Sequence, residues 1–215
     1  EIDYLCSLKF SEDELTYLGS LRYMKPDYID FLRLFHFQRQ HIKVVAIEGS
    51  DEEIDILING PWLYTILYEV YILSIINEIY FRNTVTDHEN NILEARKRLV
   101  DKINYVKQNT DSEFKFSDFG TRRRYSRDWH NEVVQTLKEN LPDNFTGTSN
   151  VYFAMKYNLT PIGTMAHEYL QACQALGPRL RDSQKFALEK WVQEYRGDLG
   201  IALTDVIGID AFISD

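Results

Sequence analysis

An α/β architecture joined to an α+β region is what three features of this 215-residue sequence predict. From Phe114 onward, short apolar runs, polar loops and amphipathic helical patterns recur about four times, the order of βα units on a parallel sheet. Before Phe114, helical periods surround a pair of β-branched runs, the mixture expected of an α+β region. Composition is the third feature: 44% hydrophobic and 13% aromatic residues, with 10 Gly and 5 Pro, supply a core and exclude disordered or collagen-like chains. A closed (β/α) barrel takes eight units and about 250 residues, whereas about a hundred follow Phe114. The expected fold is therefore a partial barrel. Residues 1–112 are read as an α+β region with a hairpin and long helices, and 113–215 as the first part of an α/β barrel carrying the active-site loops. The final Asp215 directly follows an apolar stretch, which adds to the expectation of a partial chain.

In order along the chain, Ser11 and Glu14 have capping-box spacing and predict a helix over 12–21. A second helix is expected after Pro26. Two β-branched runs then flank Gly49-Ser50-Asp51, and Ile54, Ile56 and Ile58 alternate with polar residues, so a hairpin is expected. Gly60-Pro61 opens a long apolar helix, with Pro at the first helical position. Residues 61–81 are apolar enough to suggest a membrane span, but Glu69 and Glu78 make insertion costly, and a buried helix is expected instead. The stretch 87–108 reads as a helix with Ile92, Leu99, Ile103 and Val106 on one stripe and Glu94, Arg96, Lys97, Asp101 and Lys102 on a solvated face. Alternating Phe114 and Phe116 lead through Gly120 to an amphipathic helix carrying Trp129, Val133 and Leu137. A loop with Gly147 precedes a helix near 150–157, a turn with Gly163 precedes a helix from about His167, and Ile201-Ala202-Leu203 is a further strand run ending in Thr204-Asp205.

Charge narrows the partners. With 24 Lys+Arg against 33 Asp+Glu, the net charge of −9 opposes general binding of nucleic acid or anionic membranes. Cys6 and Cys173 form neither a disulfide framework nor a zinc site, so a reducing, cytoplasmic location is expected. The opening EIDYLCSLKF lacks the basic and apolar regions of a signal peptide, and none is expected.

In so acidic a chain, Arg122, Arg123 and Arg124 directly after an expected strand stand out. Guanidinium forks bind phosphate or carboxylate with paired hydrogen bonds, and Gly120 allows a close backbone approach. The alternative for any one of them is a surface ion pair. Gly147-Thr148-Ser149-Asn150 and Gly163-Thr164-Met165-Ala166-His167-Glu168 each place a Gly-Thr step before a helix start, where free amides favour anions; ordinary turn-plus-cap chemistry explains either alone. His167 can act as acid, base or phosphoryl-accepting nucleophile with Glu168 or another carboxylate orienting it, or be a helix-start histidine bonded to a carbonyl. His36, His41, His88 and His130 are read as structural or exposed. The clusters Glu12-Asp13-Glu14 and Asp51-Glu52-Glu53 suit a helix start and a turn tip, no metal-ligand set is expected, and no HExxH, P-loop or GxSxG motif occurs.

Taken together, KFSDFGTRRRYSR (115–127), GTSN (147–150), LTPIGTMAHE (159–168) and LGIALTDVIGIDAF (199–212), with LINGPWLYTILYEVYILSIINEIY upstream, resemble the nicotinate phosphoribosyltransferase family of the bacterial type. The resemblance implies an irregular (β/α) barrel of the type II phosphoribosyltransferase kind beside an α+β domain. It further implies a cytoplasmic enzyme of NAD biosynthesis, classed as a ligase and glycosyltransferase. Such an enzyme makes nicotinate mononucleotide from nicotinate and 5-phosphoribosyl 1-pyrophosphate with ATP as co-substrate, Mg²⁺ accompanying the phosphoribosyl donor, and a homodimer as the assembly. By the same resemblance His167 is the phosphohistidine, Thr164 contacts nicotinate, Arg122 and Arg123 face carboxylate and pyrophosphate groups, and Thr148 and Ser149 line that pocket. The family's aromatic N-terminal segment and its later acidic and Gly-rich loops have no counterpart here, so this segment alone is expected to be inactive. The competing readings are a type II enzyme acting on nicotinamide or quinolinate, and an inactive fragment serving in assembly.

Overall fold

The computed structural model of the chain describes residues 1–49, 53–176 and 179–214. Two compact units form, Glu1–Pro161 and Ile162–Asp215.

The first unit begins with three short helices, α1 (Ile2–Ser7), α2 (Glu12–Ser20) and α3 (Pro26–Leu34). Ser11 caps α2 as a capping box, its hydroxyl accepting from the Glu14 amide while the Glu14 carboxylate accepts from the Ser11 amide. Pro26 occupies the first turn of α3. Strands β1 (Ile42–Ala46) and β2 (Ile54–Ile58) pair antiparallel with Ile42 opposite Ile58. The expected turn at Ser50-Asp51, with Glu52, lies outside the described residues.

Here the sequence expectation needs correction, because the long apolar helix is broken. Pro61 is the residue before α4 (Trp62–Thr65), and α5 (Glu69–Thr84) starts only after a tightened turn in which the Leu67 and Tyr68 amides bond the Tyr64 and Thr65 carbonyls. The break seats Tyr68, 1% exposed, in a core with Leu5, Phe35, Phe37, Ile42 and Ile72. Its hydroxyl accepts from the Gln38 amide at 2.8 Å and meets His41 Nδ1 at 3.2 Å. No helix among the described residues is long and apolar enough to cross a membrane.

His41 is thus buried, and Gly60 makes room for it. A Cβ on Gly60 would sit 2.8 Å from His41 Cδ2 and 2.9 Å from Nε2. We expect Gly60→Ala to destabilise the fold by about 1–3 kcal/mol through this overlap, measured as a shift in the denaturant midpoint at constant slope. An unchanged midpoint would show that the ring relaxes freely.

Helix α6 (His88–Asn109) starts at Asp87, whose carboxylate caps the Asn90 amide. It buries Ile103 against Val134, Leu141, Phe145 and Phe153, with Leu99 and Val106 at the margin. This second core lies under a three-stranded sheet in order β3-β4-β5: β3 (Phe116–Asp118), β4 (Phe145–Thr148) and β5 (Thr160–Pro161), all parallel. Helices α7 (Arg127–Asn140) and α8 (Val151–Tyr157) connect them, as the βα rhythm predicts. On α7 the buried positions are His130 and Val134. An irregularity in the β3–β4 ladder sets Ser117 opposite Gly147 and Asp118 opposite Thr148, so both C-terminal strand ends finish side by side.

The second unit holds α9 (His167–Leu176), α10 (Ser183–Tyr195) and α11 (Ile209–Ser214). Met165, Leu170, Cys173 and Ala187 form its core. The strand expected at 201–203 does not form. Leu199 and Gly197 take positive φ just before it, and a single bond from the Met165 amide to the Ile201 carbonyl, 3.2 Å, replaces a ladder.

Candidate functional site

Loops following the C-terminal ends of parallel strands are where α/β proteins place their chemistry, because the helix that starts there points free amides at a ligand. In the first unit two such loops are joined through Asp118. Its Oδ2 accepts from Thr148 Oγ1 at 2.6 Å and from His130 Nε2 at 2.8 Å, and its Oδ1 accepts from the Gly120 amide at 2.9 Å. Its backbone carbonyl accepts from the Ser149 amide at 2.8 Å. Burial pushes the Asp118 carboxyl up, but the hydrogen bond and attraction of the His130 ring and the Thr148 and Gly120 donors outweigh it, leaving the group below the ordinary carboxylate value.

A depressed native value adds stability above the unfolded value of about 4, and that stability fades as pH falls through the native value. Denaturant unfolding of wild type and Asp118→Asn should therefore show a stability gap at pH 7 that narrows below about pH 4; a constant gap would contradict the assignment.

Gly120 begins the arginine loop, a single 3₁₀ turn over Thr121–Arg123. A Cβ there would lie 2.9 Å from Asp118 Oδ1, so the carboxylate and the glycine fit only together. Helix α5 holds the loop from the other side. Arg122 Nη1 meets Glu69 Oε1 at 2.6 Å, Asn77 Nδ2 donates to the Arg122 carbonyl at 3.0 Å, and Arg124 Nη2 lies 3.5 Å from Glu78. The two carboxylates that spoil α5 as a membrane span are thus the partners of two arginines. Arg123 is exposed, and among the described residues its guanidinium has no ion-pair partner. Thr148 is fully buried with its hydroxyl turned to Asp118, whereas Ser149 beside it is half-buried. Asn150 caps α8 at the Phe153 amide and donates to Thr121 Oγ1 at 3.2 Å. A nearby cavity of about 420 Å³, lined by Glu78, Arg82, Arg96, Tyr125, Trp129 and Glu132 among others, has its cations paired to its own acids and is no anion cradle.

In the second unit His167 is the first residue of α9, and its Nε2 lies 3.0 and 3.1 Å from the two oxygens of Asp205. The orienting carboxylate is therefore Asp205, not the neighbouring Glu168. The hydrogen bond from His167 holds the Asp205 carboxyl below its usual value. The pair is open to solvent, with side chains 43% and 70% exposed. Thr164 Oγ1 donates to the Met165 carbonyl at 3.1 Å. Two of the carboxylates at these loops, Asp118 and Asp205, are marked by no spacing rule in the sequence, and His130, read there as structural or exposed, is buried against Asp118. Among the described residues no group of three His, Cys, Asp or Glu side chains is placed to hold a metal ion.

Parallel strands joined by helices, with an arginine-bearing loop at one strand end, define a protein of the α/β class. Family models go further. Residues 114–215 match the nicotinate phosphoribosyltransferase (NAPRTase) family and 1–77 match the nicotinate phosphoribosyltransferase N-terminal domain. This chain belongs to the nicotinate phosphoribosyltransferase family. It is 57% identical over 215 residues to the nicotinate phosphoribosyltransferase of Xanthomonas euvesicatoria and 54% identical over 216 to that of Burkholderia ambifaria, in each case covering 100% of this chain and 54% of the relative. Crystal structures of nicotinate phosphoribosyltransferase from Vibrio cholerae (TM-score 0.89, 35% identity, 51% of that chain) and Porphyromonas gingivalis (0.88, 32%, 53%) cover all of it. The chain spans about half the length of the curated relatives it matches.

Proposed function

We infer that the complete enzyme containing this segment transfers the phosphoribosyl group to nicotinate, in NAD biosynthesis, with ATP hydrolysis coupled through a phosphohistidine. The pyridine nitrogen attacks C1 of 5-phosphoribosyl 1-pyrophosphate, the C–O bond breaks, and pyrophosphate leaves with its electron pair. Positive charge builds at the sugar carbon while negative charge leaves, so the protein's task is to position anions rather than to supply a strong base. Arg123, whose charge has no ion-pair partner among the described residues, serves as the clamp. Arg122 shares its charge with Glu69, and Ser149 and the backbone at Thr148 border the same loop. Thr164 is assigned to the nicotinate ring.

The observation that carries the ATP-coupled reading is the His167–Asp205 pair at the start of α9. With the Nε2 proton directed at Asp205, the lone pair lies on Nδ1. Nδ1 attacks the γ-phosphorus of ATP, the bond to the bridging oxygen breaks and ADP departs, and the positive charge developing on the ring is met by Asp205 through Nε2–H. Mg²⁺ is assigned to the phosphates of the donor rather than to a protein site, since phosphates with retained waters suit it. A cytoplasmic homodimer with residues 1–112 and 113–215 as its functional division completes the proposal; the break between the two matched family regions supports that division.

The test compares the three pyridines as acceptors. Nicotinate should give its mononucleotide and pyrophosphate with a rate raised by ATP, while nicotinamide and quinolinate react far more slowly. A preference for either of the latter would replace this reading with another type II enzyme.

A further inference from the structure

We propose that Asp118 is a positioning residue that locks the arginine loop and the 147–150 loop to one another, so that the proposed anion clamps act as one unit; the inference rests on the function proposed above. Four bonds meet at this residue from three segments: Gly120 from the arginine loop, Thr148 and Ser149 from the strand end beside it, and His130 from α7. Its side chain is 11% exposed and that of His130 is 5% exposed. His130 Nδ1 is buried with no partner, so Asp118 is the ring's one hydrogen-bonding contact among the described residues. The Asn150–Thr121 bond ties the same two loops further out. Thr148, with 0% exposure, acts on a ligand through this carboxylate rather than by touch.

The chemistry requires a carboxylate. Oδ2 accepts two bonds and Oδ1 one, and a carboxylate is acceptor-only on both oxygens. An asparagine cannot accept on both sides at once: with its NH₂ at the Oδ1 position the Gly120 amide loses its acceptor, and with its NH₂ at the Oδ2 position the Thr148 hydroxyl and the His130 ring must both turn to accept, the ring by moving its proton to the buried, unpartnered Nδ1. In either orientation the charge-assisted bonds become neutral ones and the tie between the two loops weakens.

The experiment uses the complete enzyme carrying Asp118→Asn, confirmed folded by circular dichroism. Thr148→Val, which at constant shape removes one donor to Asp118 and the acceptor of the Asn150 amide, serves as the second variant, and its exchange over 119–124 decides the question if the first does not fold. Amide exchange should rise about 10-fold over both 119–124 and 147–150, with α6 unchanged as internal reference. The KM for nicotinate should rise about 10-fold while kcat changes less, the signature of misplaced binding groups. Thr148→Ser, which keeps the hydroxyl, should lose less than Thr148→Val. Exchange rising in one loop only, rising equally in α6, or unchanged kinetic constants would overturn the positioning role. A wild-type enzyme that makes no nicotinate mononucleotide would instead overturn the proposed function, and the exchange measurement would still decide the role of Asp118.

Discussion

Replacing His167 by Ala in the complete enzyme is expected to abolish ATP stimulation of nicotinate mononucleotide formation, leaving the rate the same with and without ATP. The reason is chemical: no other nucleophile in α9 or the 199–205 segment is paired to a carboxylate in this way. His167→Ala removes the attacking nitrogen, whereas Asp205→Asn keeps a hydrogen-bond acceptor for Nε2–H but removes the charge that stabilises the phosphorylated ring. Losing one charge-assisted hydrogen bond should slow ATP-dependent turnover about 10-fold. Because both groups are solvent-exposed, neither change should alter the unfolding midpoint appreciably, which separates a chemical role from a structural one. Steady-state rates with and without ATP measure the effect. Equal ATP stimulation in wild type and His167→Ala would remove the histidine from the mechanism.

The second large effect is expected at Arg123. A guanidinium with no ion-pair partner among the described residues can give its full complement of donors to a bound anion, so Arg123→Ala should raise the KM of nicotinate or of the phosphoribosyl donor by about 10- to 100-fold. Lys at this position should recover only part of the loss, since a point charge cannot reproduce the paired fork. Arg122→Ala is predicted to behave differently: it also leaves Glu69 without its partner, 2.6 Å away in the native fold, and so mixes a loss of binding with a change in loop stability. Initial-rate measurements on the three variants decide between them. Unaltered KM values for both substrates in Arg123→Ala would assign this residue to the solvated surface.

Local chemistry made much of this fold legible. The Ser11–Glu14 box, the Asp87 start of α6, the Ile54-Ile56-Ile58 alternation and the βα rhythm after Phe114 each carry their own physical cause within a few residues. What stayed hidden depends on contacts across the chain. The break before α5 interrupts an apolar pattern that reads as continuous, because Tyr68 is positioned by Gln38 and His41 some thirty residues away. Asp118 in SDFG looks like any turn-capping aspartate until the strand pairing brings Thr148 opposite it. Asp205 lies 38 residues from His167 and has no spacing that announces it. The 201–203 run has strand composition, but strand pairing needs a neighbour, and the positive φ of Leu199 bends the chain instead. The arginine motif was conspicuous in the sequence, yet only the structure separates the two arginines committed to α5 from the one that is not.

The most direct test of the central claim is to incubate the complete enzyme with ATP labelled at the γ-phosphate, digest it, and map the label. We predict one acid-labile phosphate on His167, absent from His167→Ala and discharged when nicotinate and 5-phosphoribosyl 1-pyrophosphate are added. Acid-labile phosphate on another residue, retained in His167→Ala, would contradict the assignment.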